Sequence, residues 1–197
     1  MDNTALFKIG YGLYVLTARD GNKLNGCIVN TFAQITSAEP CICMLAVNKS
    51  NYTHNIIKMT GEFNISCLTT DTPFEVFERF GFKSGRDTDK FDGFDKISVS
   101  NNNIPYLTEY SNAYISLKVK ETVDCGSHTI FIAEVTDAKN LSDSESLTYA
   151  YYHKNIKPRP QKPKKSNGFW RCKICGYIYE SEELSPDFVC PICKHSA

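Results

Sequence analysis

The sequence predicts a mainly β domain with short helices, followed by a small metal-binding domain. Three observations support this: short runs rich in β-branched and aromatic residues, a Pro- and Lys-rich stretch late in the chain, and two CxxC pairs near the carboxyl end. Short strands bounded by turn residues predict a barrel or a sandwich when there are six or more of them. The runs cover residues 12–17, 26–36, 41–47, 63–69, 114–123 and 128–138.

Sequence patterns between these strands predict a turn and two helices. Asp20-Gly21 lies between the first two runs, and Asp-Gly in that setting predicts a hairpin. Apolar residues between Ser50 and Gly61 have helical spacing, and so do the aromatic residues between Thr72 and Phe80. We therefore expect two short helices beside the β core, with the aromatic cluster serving packing.

Composition and charge exclude several classes of protein. The chain has 197 residues, 42% of them hydrophobic, with 22 basic and 22 acidic side chains and no formal net charge. Such a folded, neutral chain offers no overall field for nucleic acid or an anionic membrane surface. It also lacks a signal-like amino terminus and a run of about 18 apolar residues. We expect a cytoplasmic protein with no nucleic-acid partner and no membrane association.

A linker divides the chain. Residues 157–168 contain three prolines, five basic residues and no large apolar side chain. Extended Pro-rich segments rise by about 3.1 Å per residue, so this stretch could span roughly 35–40 Å. We predict a large domain over residues 1–156, the linker over 157–168, and a small domain over 169–197.

The two CxxC pairs are the strongest motif. Cys172, Cys175, Cys190 and Cys193 can supply four thiolates to one tetrahedral ion, which suits iron or zinc. A domain of under about 30 residues hardly folds without such a metal. The other five cysteines lie among apolar residues, and we interpret them as buried structural thiols. They are Cys27, Cys41, Cys43, Cys67 and Cys125.

The residues around these pairs favour iron. Cys175-Gly176-Tyr177-Ile178-Tyr179, with Trp170 and Phe188, resembles the rubredoxin family, and most closely the short rubredoxin domain of rubrerythrins. The resemblance covers residues 169–197 and implies one iron ion held by the four cysteines. A structural zinc ribbon would use the same ligands, so zinc stays possible as a substitute.

Four polar segments of the large domain carry a second resemblance. Residues 30–40, 48–54, 80–91 and 126–135 together resemble the flavin reductase family of split β-barrel FMN proteins. The likeness spans about residues 1–152. It implies a split β-barrel, FMN-binding (flavin reductase-like) domain, an oxidoreductase activity and a homodimer.

The resemblance also implies roles for individual residues. In the family, one segment lines the flavin ring and sugar, a second holds the phosphate, and a third forms a loop beside the flavin. These segments correspond to Asn30, Thr31, Gln34 and Thr36; to Asn48, Lys49, Ser50 and Thr53; and to Ser84, Gly85 and Arg86. His128 corresponds to a histidine near the ring that would help to position a nicotinamide, whereas the residue alone would be taken as a structural histidine. Hydroxyls, amides and a lysine leading into a helix near Tyr52 independently predict an anion site.

The expected function follows from both resemblances. Electrons would come from NAD(P)H, directly or through a partner reductase, and pass through FMN and iron to an acceptor such as a flavodiiron protein. The sequence has neither a Rossmann fingerprint nor a P-loop, so a nicotinamide would dock transiently. Two alternatives stay open: a stand-alone flavin or ferric reductase with a structural zinc ribbon, and a non-enzymatic binding module.

Overall fold

A computed structural model of the chain describes residues 2–158, 164–166, 169–172, 177–179, 184–185 and 188–191. The chain divides into two compact units, Met1–Asn155 and Ile156–Ala197. This division falls one residue from the boundary that the Pro-rich segment predicts. No helix among the described residues is long and apolar enough to cross a membrane.

Seven antiparallel strands form the main sheet of the first unit. Their spatial order is β2-β1-β5-β8-β9-β4-β3. The strands are β1 (Tyr14–Asp20), β2 (Lys23–Val29), β3 (Phe32–Gln34), β4 (Ile42–Asn48), β5 (Glu62–Leu68), β8 (Ser111–Cys125) and β9 (His128–Asn140). A separate two-stranded sheet pairs β6 (Ile97–Val99) with β7 (Pro105–Leu107).

The sheet is curved around one hydrophobic core. Val29 near one edge, Leu45 near the other and Phe131 between them belong to the same buried cluster. A flat seven-stranded sheet could not bring both edges into one cluster, so the strands must bend toward each other. Burial alternates along β4, which shows that β4 has one covered face. This confirms the predicted mainly β, barrel-like class.

Short helices flank the sheet. α1 (Tyr52–Thr60) packs Ile56 and Ile57 into the core, and it ends at Gly61. Gly61 has φ 74°, a left-handed value that favours glycine, and its amide donates to the Ile57 carbonyl at 2.8 Å. α2 (Phe74–Phe77) continues into a π-helical turn over Glu78–Phe82, and α3 (Tyr149–Tyr151) continues into another over Tyr152–Ile156. A 3-10 helix over Asn3–Lys8 precedes β1.

The predicted elements differ from the observed ones mainly at residues 26–36. The sequence predicts one strand there, but β2 ends at Val29 and β3 begins at Phe32. The reason is tertiary: β2 pairs with β1 at one edge of the sheet, while β3 pairs with β4 at the other edge. Asn30 and Thr31 therefore carry the chain between edges. The hairpin at Asp20-Gly21 and the helix near Tyr52 are confirmed.

The second unit contains a small antiparallel sheet. β10 (Lys164–Ser166), β11 (Phe169–Arg171) and β12 (Ile178–Tyr179) pair in that order. β10 lies inside the segment that the composition predicts to be a linker, because its backbone pairs with β11. Tyr179 packs its ring against that of Phe188, with centroids 4.7 Å apart.

Candidate functional site

The crossing between β2 and β3 holds the first two predicted site residues. Asn30 and Thr31 are half-buried, and the Thr31 hydroxyl donates to the Asn30 side-chain carbonyl at 3.1 Å. The Thr31 backbone carbonyl accepts the Ala46 amide at 3.0 Å, which fixes this crossing beside β4. The two polar side chains are therefore held at a defined point of the sheet rather than in a free loop.

Gln34 and Thr36 form a second polar group around a cysteine. The Gln34 amide donates to the Thr36 carbonyl at 3.0 Å and to the Cys41 sulfur at 3.2 Å. The Cys41 thiol donates to the Thr36 carbonyl at 3.1 Å, and the Thr36 hydroxyl accepts the Ile42 amide at 3.0 Å. Cys41 is thus part of a hydrogen-bonded turn, which its apolar neighbours in the sequence do not indicate.

The end of β4 meets the turn of the β8–β9 hairpin. Asn48 stands opposite His128 in the register of β4 and β9. The Lys49 amide donates to the Ser127 carbonyl at 3.0 Å, and the Asn48 side-chain carbonyl accepts both the amide and the hydroxyl of Ser50, at 2.9 and 2.8 Å. The fold therefore brings together Asn48, Lys49, Ser50 and His128.

Lys49 has a partner that the sequence does not predict. Its ammonium contacts both carboxylate oxygens of Asp124 at 2.7 Å. The hydrogen bond from Lys49, together with the Gly126 amide, lowers the pKa of the Asp124 carboxyl. The charge of Lys49 is compensated in this structure, so a phosphate would have to share the ammonium with Asp124.

His128 is half-buried at the start of β9. Its Nδ1 lies 2.9 Å from the Ser127 hydroxyl oxygen. Nε2 makes no hydrogen bond with the described residues. One ring nitrogen is therefore oriented by the protein while the other can meet a bound molecule.

Thr53 and Gly85 lie on the two sides of Asn25. The Asn25 side-chain NH₂ donates to the Thr53 hydroxyl at 3.0 Å, and Asn25 is only 2% exposed. A Cβ placed on Gly85 would overlap the Asn25 Oδ1 and would lie 2.5 Å from its Cγ. Asn25 Oδ1 has no hydrogen-bond partner among the described atoms. Asn25 was missed because a lone asparagine in a strand carries no sequence signal.

The loop containing Ser84 and Arg86 is folded on itself. The Ser84 hydroxyl accepts the Arg86 amide at 3.2 Å, and the Ser84 carbonyl accepts the Asp87 and Thr88 amides at 3.2 and 3.0 Å. The Arg86 guanidinium lies over the Tyr52 ring, 5.1 Å from its centroid. The loop therefore faces the first turn of α1, where Thr53 lies.

A buried lysine lies close to this group. Lys90 is 4% exposed, and its ammonium donates to the Gly26 and Phe80 carbonyls at 2.8 and 3.1 Å. Burial lowers the pKa of Lys90. Burial raises the pKa of the neighbouring Cys27 thiol, while the Thr53 hydroxyl and the Lys90 charge oppose that rise. The sequence shows only a charged segment here, so nothing in it distinguishes Lys90 from a solvated lysine.

These residues form two groups rather than one. Asn48 to Thr53, His128 and the 84–86 loop lie around the carboxyl end of β4 and the start of α1. Gln34 and Thr36 lie beside residues 41–43, at the opposite end of β4. A seven-residue strand is about 20 Å long. No hydrogen bond or ion pair among the described residues joins the two groups, so only an elongated ligand would contact both.

Two observations fit a flavin phosphate and its sugar chain to the site. The first is that Arg86 has no carboxylate partner within the described part of the chain. The second is that the buried side-chain oxygen of Asn25 accepts no hydrogen bond and lies beside Gly85, where there is no room for a Cβ. Buried polar atoms are rarely left without a partner. Of the predicted residues, Asn30, Thr31, Asn48, Ser50 and Thr53 supply further polar groups.

The small domain shows two of the four predicted metal ligands. Cys172 directly follows β11, and its amide donates to the Tyr177 carbonyl at 2.8 Å. Cys190 is 1% exposed. Cys175 and Cys193 lie outside the described residues. Four thiolates are the donor set that a tetrahedral iron or zinc ion prefers, so the chemistry of the ligands fits the metal.

Family models match both parts of the chain. The Flavin reductase like domain matches residues 6–159, and the Rubrerythrin, rubredoxin-like domain matches residues 170–197. Together they account for both resemblances that the sequence shows.

Two relatives match all or most of the chain. The chain is 38% identical to a high molecular weight rubredoxin of Moorella thermoacetica, over 98% of this chain and 96% of that protein. It is 41% identical to a ferric-chelate reductase (NAD(P)H) of Archaeoglobus fulgidus, over 78% of this chain and 89% of the other.

A solved structure shows the same fold. The NADH:FAD oxidoreductase of Streptomyces globisporus C-1027 aligns with a TM-score of 0.65 and 21% identity, over 75% of this chain and 88% of the other. The comparisons together confirm the predicted oxidoreductase class, with FMN in the large domain and iron in the small one. The chain therefore belongs to the flavin reductase family and carries a rubredoxin-like domain at its carboxyl end.

Proposed function

We propose that this chain is an electron-transfer flavoprotein that connects a two-electron donor to a one-electron acceptor. It takes electrons from NAD(P)H, directly or through a partner reductase, and delivers them to another redox protein. The large domain would hold FMN, which would supply conversion between two-electron and one-electron transfer, and the four cysteines of the small domain would hold iron, which would supply a one-electron centre. A flavodiiron protein is the acceptor class that we propose.

The observation that carries the proposal is the presence of both redox domains in one chain. A flavin reductase domain alone needs only a diffusing acceptor, and a rubredoxin domain alone needs an external donor. Joined by a short segment, each domain supplies what the other lacks. A tethered partner also acts at a high effective concentration, which favours transfer within the molecule or its dimer.

The residues of the large domain would bind FMN and orient it. We propose that Asn30, Thr31, Gln34 and Thr36 contact the ring and sugar of FMN, and that Asn48, Lys49, Ser50 and Thr53 face its phosphate. Ser84, Gly85 and Arg86 would form a loop beside the flavin. The first turn of α1 adds backbone amides and the positive end of its dipole. These contacts would hold the flavin, while the redox chemistry belongs to the cofactor.

His128 is the residue that we propose to position the nicotinamide. Its Nδ1 is engaged by Ser127 at 2.9 Å, which restricts the orientation of the ring. Nε2 makes no hydrogen bond with the described residues, so it would be able to donate to or accept from the carboxamide of a docked nicotinamide. His128 would be a positioning residue, so its substitution should raise KM for the nicotinamide donor more than it weakens flavin binding.

Two further expectations belong to the proposal. The chain forms a homodimer, and it acts in the cytoplasm without nucleic acid or a membrane as a partner. Sedimentation of the purified protein at several concentrations tests the first. A monomer at every concentration would contradict it.

The experiment for the proposed function compares electron donors. The iron-loaded protein is mixed under anaerobic conditions with NADH, with NADPH and with a reduced partner reductase, and the flavin and ferric-thiolate absorption are followed in parallel. Rapid loss of both absorptions with a free nicotinamide supports direct donation, and rapid loss only with the partner supports the indirect route. No loss of either absorption with any donor would overturn the proposal.

A second candidate function rests on the Archaeoglobus relative, whose name is ferric-chelate reductase. In that version the large domain reduces ferric chelates and the four cysteines hold structural zinc. Metal analysis of protein made in iron-supplemented medium separates the two. About one iron per chain supports electron transfer, and zinc with full ferric reductase activity supports the alternative.

A further inference from the structure

His128 lies on the last rung of the ladder between β4 and β9. It pairs with Asn48, the final residue of β4, and the hairpin turn Gly126-Ser127 directly precedes it. On the other side of the hairpin, β5 begins only at Glu62, so residues 121–125 of β8 pair with β9 alone. The end of a ladder opens more easily than its middle, because fewer contacts hold it. The orientation of His128 therefore depends on contacts beyond the ladder.

Lys49 supplies such contacts on both sides of the turn. Its backbone amide donates to the Ser127 carbonyl at 3.0 Å, on the β9 side. Its ammonium contacts both carboxylate oxygens of Asp124 at 2.7 Å, on the β8 side. The Ser127 hydroxyl oxygen in turn lies 2.9 Å from Nδ1 of His128. A continuous run of contacts thus leads from the carboxylate of Asp124 to the His128 ring.

Asp124 also fixes the turn from within. Its Oδ1 accepts the Gly126 amide at 2.8 Å, a bond from a side chain to the backbone two residues on, as in an Asx turn. Gly126 has φ 72°, the left-handed value that a two-residue hairpin loop requires. One carboxylate therefore sets the shape of the turn and joins the turn to Lys49.

These contacts restrict a position more than they stabilise the fold. The side chains of Lys49 and Asp124 are 36% and 73% exposed, and exposed ion pairs contribute little to stability. Residues 121–127 are all exposed, so this end of the hairpin adds nothing to the core. Its half-buried neighbour His128 is the residue whose geometry the turn controls.

We infer that Asp124 is a positioning residue for the nicotinamide donor. It holds the hairpin turn against Lys49, and the turn orients the His128 ring through Ser127. The inference rests on the proposed function for the role of His128. It also predicts an effect of opposite kind on the flavin: Asp124 competes with a phosphate for the Lys49 ammonium, so removal of the carboxylate should not weaken FMN binding.

Two variants separate the contacts of Asp124. Asp124→Asn keeps an oxygen for the Gly126 amide but loses the charge that holds Lys49, whereas Asp124→Ala loses both contacts. Glu109→Gln is the matched control, because Glu109 also forms an exposed ion pair, with Lys96 at 2.8 Å. It precedes the 15-residue strand β8, near whose other end Asp124 lies.

The first measurement is the dependence of flavin reduction on donor concentration. Full-length protein loaded with iron and FMN gives KM and kcat for the preferred nicotinamide, and flavin-depleted protein gives the FMN dissociation constant. We expect KM to rise about threefold in Asp124→Asn and about tenfold in Asp124→Ala, the range for loss of one or two hydrogen bonds. The kcat should stay within about twofold, and the FMN dissociation constant should not rise, which indicates lost donor binding alone. A KM within twofold of the wild type in both variants would overturn the inference, and so would a parallel rise of KM and the FMN dissociation constant.

A second measurement does not depend on electron transfer. Amide hydrogen exchange of flavin-free protein should be faster over residues 124–128 in Asp124→Ala than in the wild type and Glu109→Gln, because the turn opens more often. If the wild type oxidises neither NADH nor NADPH, the proposed function fails, and faster exchange in Asp124→Ala would still retain the control of the turn by Asp124. Equal exchange in all three proteins would reject that control.

Discussion

Substitution of Gly85 by alanine should destabilise the large domain through one identifiable contact. A Cβ at position 85 would lie 2.5 Å from Asn25 Cγ and 2.8 Å from its Nδ2, closer than non-bonded carbon atoms can approach. Asn25 cannot easily move, because it is 2% exposed and bonded to the Thr53 hydroxyl at 3.0 Å. Overpacking costs about 1–3 kcal/mol and a lost hydrogen bond about 1 kcal/mol. We therefore expect the free energy of unfolding to fall by about 2–4 kcal/mol.

The assay is urea unfolding of the flavin-free protein, followed by circular dichroism. Gly10→Ala is the matched control, since a Cβ there meets no atom within 4 Å, and its effect should stay within about 0.5 kcal/mol. In an Asn25→Ala background the clash disappears, so Gly85→Ala should cost about 1–2 kcal/mol less than in the wild type. Equal costs in both backgrounds, or a cost no larger than that of Gly10→Ala, would refute this reasoning.

Two further predictions follow from side chains with known partners. Lys49→Gln should leave the midpoint of urea unfolding nearly unchanged, because its ion pair with Asp124 is solvent-exposed. A marked fall of the midpoint would contradict this. Alkylation followed by peptide mass spectrometry should show that exposed Cys125 reacts readily at pH 8, whereas Cys43 and Cys67 react slowly until the pH nears 11. Burial, and to a smaller extent a neighbouring thiol, raises the pKa of Cys43 and of Cys67 to about 11. The contribution of these protonated thiols to the free energy of unfolding is therefore complete below pH ~8.5 and is lost as the pH rises toward 11. Equal reactivity of the three thiols at pH 8 would contradict the prediction.

The sequence predicts the local elements better than their connections. Alternating and β-branched runs identify the principal strands, and the polar segment before Tyr52 identifies the start of α1. The break at Asn30 cannot be read locally, because it arises from pairing with opposite edges of the sheet. Local patterns carry no information about which edge a strand will join.

The candidate site, like the fold, can be predicted from the sequence only in part. Resemblance identifies the segments, and the fold brings Asn48, Lys49, Ser50 and His128 together. The partner of Lys49 is Asp124, 75 positions away, so its compensated charge could not be predicted from neighbouring residues. Asn25 was missed because a lone asparagine in a strand has common structural explanations until its contacts are known.

Metal binding by the second unit should be independent of flavin binding by the first. Within the described part of the chain, the buried core cluster of the first unit runs from Leu16 to Ala133, so its packing does not involve the metal ligands Cys172 and Cys190. Cys190→Ser should therefore abolish iron binding while leaving the FMN dissociation constant unchanged, measured by metal analysis and flavin titration. A matching loss of flavin would contradict this independence.

The most direct test of electron transfer from flavin to iron is reduction of the iron with and without FMN. Iron-loaded protein is depleted of flavin, mixed anaerobically with the preferred nicotinamide donor, and followed by its ferric-thiolate absorption before and after FMN is restored. We predict that the iron stays oxidised without FMN and is reduced after the flavin once FMN is present. Reduction of the iron at the same rate in both samples would contradict the account.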